Sequence, residues 1–315
     1  MKKFVCLLFV FLLLFGSAVA EEKISVVTTI FPIYDWVRQI AGENLENIDL
    51  TLQLDNGVDL HSYQPTAQDI LKVSTADLFI YVGGESDEWV EDVLETAMNP
   101  DLVSISLVEA MGEDIKIEEE VEGMEPEDHD EEEEEEEADE HVWLSLRNAQ
   151  KLVGVIADAM AEIDAVHRDA YQANAAAYMD QLNALDAQYA EAVSAAPYKT
   201  VLFGDRFPFR YLVDDYGLGY YAAFSGCSAE SEASFNTIVF LAQKVNELDL
   251  PAVLTIEGTN HKIAETVAAT SDNKDAKILT MDSLQSTASQ QVRQGVTYLS
   301  VMKANLAVLK EALNK

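Results

Sequence analysis

The sequence predicts an α/β protein: two α/β lobes with mostly parallel sheets, joined by one long rigid helix. Three observations predict it. Short β-branched runs alternate with helical patterns on both sides of the chain's middle, the pattern of α/β lobes. Between them, Tyr171, Tyr178, Leu182, Leu185, Tyr189 and Val193 recur at helical spacing as one continuous apolar stripe. The chain without its first twenty residues is about 295 residues, more than one ordinary core and natural for two lobes.

The elements follow in order. Residues 24–29 are a β-branched strand, and Pro32 opens a helix carrying Ile33, Trp36, Val37 and Ile40. Residues 48–54 form a second strand. Thr66 and Asp69 have the spacing of a capping box, which starts the next helix. A strand at 78–82 runs into Gly83-Gly84, a helix at 89–98 follows, and a strand at 103–107 closes the first sheet. Leu152, Val155, Ile156, Ala159 and Ile163 mark a helix face, and Pro197 ends the long striped helix. Beyond it come strands at 200–203, 220–224, 252–256 and 277–281, with helices at 207–216, 235–248, 261–269 and 290–313. The aromatic stripe reads as core packing.

Residues 1–20 read as a cleaved signal peptide. Lys2 and Lys3 precede an apolar run from 4 to 15, and Ala18-Val19-Ala20 supplies small residues for cleavage. The run is short for a bilayer span, and no cysteine stands at the cleavage position, so a periplasmic or extracellular chain without a lipid anchor is expected. Cys6 leaves with the leader. Cys227 then has no intramolecular partner, and it reads as a small half-buried side chain near a turn.

The formal net charge is −37, which disfavours nucleic acid and anionic membrane surfaces as partners. From 113 to 140, 19 of 28 residues are Asp or Glu, opposed by Lys116 alone, and 131–137 is a pure glutamate run. Such a block repels itself and buries little, so it is expected to be a disordered acidic loop. Either it is a solvated insertion, or it gathers divalent cations near His141, with His129 assisting. The boundaries expected are a signal peptide at 1–20, an N-terminal lobe at 21–112, the acidic loop at 113–140, a ligand segment and helix at 141–163, a connecting helix at 164–197, and a C-terminal lobe at 198–315.

Of the five histidines, His61 stands in His61-Ser62-Tyr63-Gln64-Pro65 and His141 in His141-Val142-Trp143-Leu144-Ser145. Each lies beside an aromatic residue in a segment unlike a helix interior, where imidazole is the commonest protein ligand for a borderline divalent ion. His167 and His261 sit at helix starts and read as capping or surface residues. Ligands of open α/β sheets bind beyond the carboxyl ends of strands, which adds Asp205, Glu257 and Asp282 as candidates. Singly, each of these acids is more readily a cap.

The chain resembles the zinc- and manganese-binding solute receptors of bacterial ABC transporters, from about 24 to 313. Val26-Val27-Thr28-Thr29-Ile30-Phe31-Pro32 and the two histidine motifs, in that order, carry the resemblance. It implies a two-lobed receptor that is not an enzyme, a monomer whose partners are a divalent ion and a membrane permease. It implies metal ligands at His61, His141, Asp205 and Asp282, with Glu257 in reserve for Asp282. Zn2+ is expected because two imidazoles favour it, and Mn2+ is the alternative because Asp205 stands where zinc members carry a histidine and manganese members a carboxylate. Two imidazoles with two carboxylates neutralise a divalent ion and suit either metal. An exported metal-dependent hydrolase is the reading from another class, but no H-E-x-x-H or G-x-S-x-G motif supports it. A calcium protein would need an all-oxygen loop with a D-x-D-x-D-G pattern, which is absent.

Overall fold

A computed structural model describes residues 23–125, 137–228, 232–258 and 260–315. The leader at 1–20, His129 and the glutamates at 131–136 lie outside them.

The first lobe is a sheet of β1 (Ile24–Thr28), β2 (Ile48–Leu52), β3 (Leu78–Tyr81) and β4 (Val103–Ser106). Its order is β2-β1-β3-β4, and all pairings are parallel. Helices α1 (Phe31–Ala41), α2 (Ala67–Ser74), α3 (Trp89–Glu95) and α4 (Leu107–Met111) cover it. The capping box expected at Thr66 and Asp69 is present and opens α2. Two helices follow, α5 (Leu146–Ile163) and α6 (Arg168–Ala195). The second lobe repeats the plan with β5 (Thr200–Arg206), β6 (Gly219–Phe224), β7 (Ala252–Ile256) and β8 (Lys277–Met281), again parallel, in the order β6-β5-β7-β8. Helices α7 (Arg210–Tyr216), α8 (Phe235–Glu247), α9 (Lys262–Thr270), α10 (Ser289–Arg293) and α11 (Tyr298–Ala312) complete it.

In both sheets the strand order reverses between the first and third strands, β1/β3 and β5/β7. At that switch point the loops leaving the carboxyl ends diverge and open a crevice.

The long helix α6 joins the lobes, with Tyr171, Tyr178, Leu182, Leu185, Tyr189 and Val193 all buried along it. It packs on α1, α5 and α11, so one core runs through both lobes. Hydrogen bonds cross between the lobes as well. Tyr189 donates its hydroxyl to the Met302 carbonyl at 2.6 Å, and the Tyr298 amide donates to the buried Asp35 carboxylate at 2.9 Å. The Tyr298 hydroxyl donates to the Trp143 carbonyl at 2.6 Å, and the Trp143 indole donates to the Ser283 carbonyl at 2.9 Å. A continuous core with these ties makes the connection stiff.

The structure departs from expectation in three places. The terminal helix expected at 290–313 is two helices, because Gly295 takes φ +91°, a left-handed conformation that ends α10, and Thr297 caps a new start. Strand β5 runs on to Arg206, so Asp205 belongs to the strand, at a register irregularity between Phe203 and Arg206. The described parts of the acidic segment, 113–125 and 137–140, pair with each other. The Glu118 amide donates to the Glu137 carbonyl and the Asp139 amide to the Lys116 carbonyl, each at 2.8 Å. Here the acids are interleaved with apolar residues, and Ile115 and Met124 pack against the core.

Candidate metal centre

His61 sits in a single 3-10 turn, Leu60–Ser62, in the loop after β2. Asp59 caps that turn, accepting the His61 amide at 3.1 Å, while its other oxygen takes the Arg206 guanidinium of the second lobe at 2.6 Å. His141 immediately precedes a second 3-10 turn, Val142–Leu144, and is fully buried. Behind it Ser145 caps α5 by accepting the Arg147 and Asn148 amides.

The two imidazoles face each other, with Nε2 atoms 3.2 Å apart. Each ring is held from behind. The Asp139 carboxylate lies 3.0 Å from His141 Nδ1 and also accepts the His141 amide at 2.9 Å. The Ser86 hydroxyl lies 2.8 Å from His61 Nδ1, and the Ser86 amide donates to Glu140 at 2.9 Å. A carboxylate on Nδ1 keeps that nitrogen protonated and turns Nε2 into the donor atom. Two Nε2 lone pairs at this distance repel unless a positive charge lies between them, either a proton or a metal ion. In a tetrahedral zinc site with Zn–N of 2.0–2.1 Å, two ligand nitrogens are about 3.3–3.4 Å apart, close to what is found here.

The charges in this cluster are pushed in opposite directions. Burial, then the neighbouring His141, drive His61 down to about 3. Burial also opposes a charge on His141, but the charge and hydrogen bond of Asp139 outweigh it, and the shift is upward. Burial raises Glu140 to about 7, against its hydrogen bonds from Ser86.

The third member of the cluster is Cys227. One ligand atom each from His61, His141 and Cys227 lies within 4.8 Å of the others, and this is the group of metal-capable side chains found among the described residues. Cys227 follows β6, so the second lobe supplies it. Gly226 presses on the His141 ring: a Cβ there would come within 2.9 Å of the ring and 3.0 Å of the Phe207 carbonyl. Burial, then the acids Glu118, Glu140 and Asp139, push the Cys227 thiol up.

Asp205 and Asp282 are not brought into that group. The Asp205 carboxylate accepts the Thr255 hydroxyl at 2.6 Å, the Ile256 amide at 3.3 Å and the Arg206 amide at 2.9 Å, so it ties β5 to β7. It does line the same cleft of roughly 300 Å³ as His61, Arg206 and Glu257. Asp282 accepts the Leu284 amide at 2.8 Å and shapes the turn after β8. Glu257 accepts the Ser283 amide and hydroxyl, each at 2.6 Å, and burial, then Asp282, raise it to about 7. His167 and His261 stand at the N-cap positions of α6 and α9.

Sequence reasoning missed Cys227, although a signal existed. It lies just past the carboxyl end of a strand, by the same rule that selected Asp205.

One buried carboxyl beside the centre gives a pH test. Asp87 Oδ2 accepts the Val82 and Gly83 amides, and Oδ1 is buried without a hydrogen-bond partner among the described residues. Burial raises it from 3.8 to about 6 despite those amides. A carboxyl raised on folding favours the fold in its protonated form. Its contribution is full below 3.8 and is lost as pH rises through about 6. The Asp87→Asn variant should therefore lose less stability than the parent between about pH 4 and pH 6, read as urea midpoints. An identical fall in both proteins would remove Asp87 from this role.

A model of the family described as zinc-uptake complex component A, periplasmic (ZnuA) matches residues 26–312. The zinc-binding lipoprotein AdcA of Streptococcus pneumoniae serotype 4 is 32% identical over 300 residues, covering 94% of this chain and 57% of AdcA. This chain thus spans little more than half the length of that relative. The high-affinity zinc uptake system protein ZnuA of Bacillus subtilis is 29% identical over 299 residues, covering 95% of this chain and 90% of that one. Among solved structures, the Zn(II)-bound ZnuA-like domain of S. pneumoniae AdcA superposes with a TM-score of 0.73 at 29% identity, over 93% of this chain and all of that one. The metal-dependent lipoprotein YcdH of Bacillus subtilis gives 0.75 at 27% identity, over 92% and 99%.

Proposed function

The chain belongs to the ZnuA family, component A of zinc-uptake complexes, and from that premise we propose that it captures Zn2+ outside the cytoplasmic membrane and delivers it to an ABC-transporter permease. It is a solute-binding protein and not an enzyme. The facing Nε2 pair of His61 and His141 carries this reading, because a dication resolves their repulsion and the spacing suits zinc.

On this reading His61 and His141 are the core ligands. Asp139 and Ser86 hold them, and Asp205 and Asp282 support the loops around the cleft instead of binding the ion directly. The stiff connection through α6 keeps the two walls of the cleft in register, so selection falls to ligand chemistry more than to lobe closure. The leader at 1–20 directs export, the exported chain acts as a monomer, and the acidic segment at 113–140 raises the local cation concentration.

Asp139 tests the arrangement without touching the ion. Asp139→Asn keeps the shape but weakens the hold on Nδ1, and outer-shell changes of this kind typically cost about 10–100-fold in metal affinity. A competition titration with a chromophoric chelator should show zinc affinity lowered by that factor, with the stoichiometry still one. An unchanged affinity would mean that His141 is not oriented for an ion.

A further inference from the structure

We propose that Cys227, as a thiolate, is the second lobe's ligand to the ion, which makes the centre an imidazole–imidazole–thiolate site selective for zinc-like ions over manganese. This rests on the reading of the cleft as a zinc site.

The thiol is one corner of a cluster drawn from both lobes, within 4.8 Å of a ligand nitrogen of each facing histidine. Its loop is fixed from three sides. Gly226 lies against the His141 ring, the Cys227 amide donates to Glu118 at 3.0 Å, and the Glu140 amide faces the sulfur. Among these acids the free thiol keeps its proton, and only a cation between the sulfur and the two imidazoles would favour the thiolate.

A second observation points to a cationic occupant. Glu140 Oε2 is buried and has no hydrogen-bond partner among the described residues, and its side chain is 3% exposed. It lies 3.8 Å from His61 Nδ1. A buried carboxylate oxygen without a partner is costly, and a nearby dication offsets that cost.

As the sulfur–metal bond forms, the S–H bond of Cys227 breaks and its proton leaves to solvent. Nothing is oxidised or reduced. A thiolate beside two imidazoles suits zinc, whereas manganese prefers carboxylate, carbonyl and water.

Cobalt(II) is the probe. Loaded into the native chain, it should give a sulfur-to-cobalt charge-transfer band in the near ultraviolet, and Cys227→Ser should lose the band. The same variant should bind zinc more than about 100-fold more weakly, since even outer-shell losses reach that range, while its manganese affinity changes little. A second measurement needs no variant. One equivalent of zinc should slow alkylation of Cys227 by iodoacetamide in the native chain, read by peptide mass, and excess chelator should restore the rate. Cobalt bound without the band, or alkylation indifferent to bound zinc, overturns the thiolate assignment and leaves the zinc reading standing. Failure of the native chain to bind either metal overturns both.

Discussion

Replacing His141 with alanine is expected to lower zinc affinity by more than about 100-fold, well beyond the effect of changing the carboxylate behind it. The residue is fully buried and supplies one of the two facing nitrogens. Its loss also leaves Asp139 as a buried carboxylate without its imidazole partner. His61→Ala should lose affinity on the same scale, and the double variant should add little, because either nitrogen alone holds the ion poorly. His167→Ala and His261→Ala are the controls. The His167 ring bonds Asp164 at 2.7 Å and the His261 ring bonds the Thr255 hydroxyl at 2.9 Å, so neither faces the histidine pair, and zinc affinity should stay within about twofold of the parent. A His141 variant that binds as tightly as the controls would remove the histidine pair from the site.

The largest stability effect is expected at Trp143. It is fully buried, packs at an angle on His141 with ring centroids 5.3 Å apart, and ties the first lobe to the second through Ser283 and Tyr298. Trp143→Ala removes a large side chain from close-packed surroundings, which typically costs about 3–5 kcal/mol. Trp143→Phe keeps most of the packing and gives up the indole hydrogen bond, for about 1 kcal/mol. Urea midpoints at constant slope separate the two. The alanine variant should also bind zinc more weakly, because His141 loses the ring it packs against. A Trp143→Ala protein as stable as the parent would mean that the 3-10 turn, not the packing, positions the histidine.

The fold was largely legible because each device that builds it is local. Pro32, the Thr66–Asp69 capping box, the β-branched runs and the tyrosine stripe all act within a few residues of themselves. Gly295 is also local, yet its break was hidden by apolar positions that continue in helical phase on both sides. In the acidic segment, net charge masked the few apolar residues that let 117 pair with 138.

The candidate site was half legible. His61 and His141 stand in compact motifs within one lobe, so their neighbours in sequence announce them. The second lobe's contribution depends on which strand end faces the cleft, which is a long-range property. Asp205, within β5, lines the same cleft as His61, while Thr255 and Ile256 donate to its carboxylate. Cys227, at the end of β6, reaches the histidines because Gly226 lets the loop lie on the His141 ring.

Diffraction from crystals grown with one equivalent of zinc, recorded on both sides of the zinc absorption edge, tests the histidine-pair site most directly. The expected result is one anomalous peak about 2.0–2.1 Å from Nε2 of both His61 and His141, in the cleft between the sheets' carboxyl ends. A peak held by the acidic segment, with the two imidazoles still in direct contact, would contradict it.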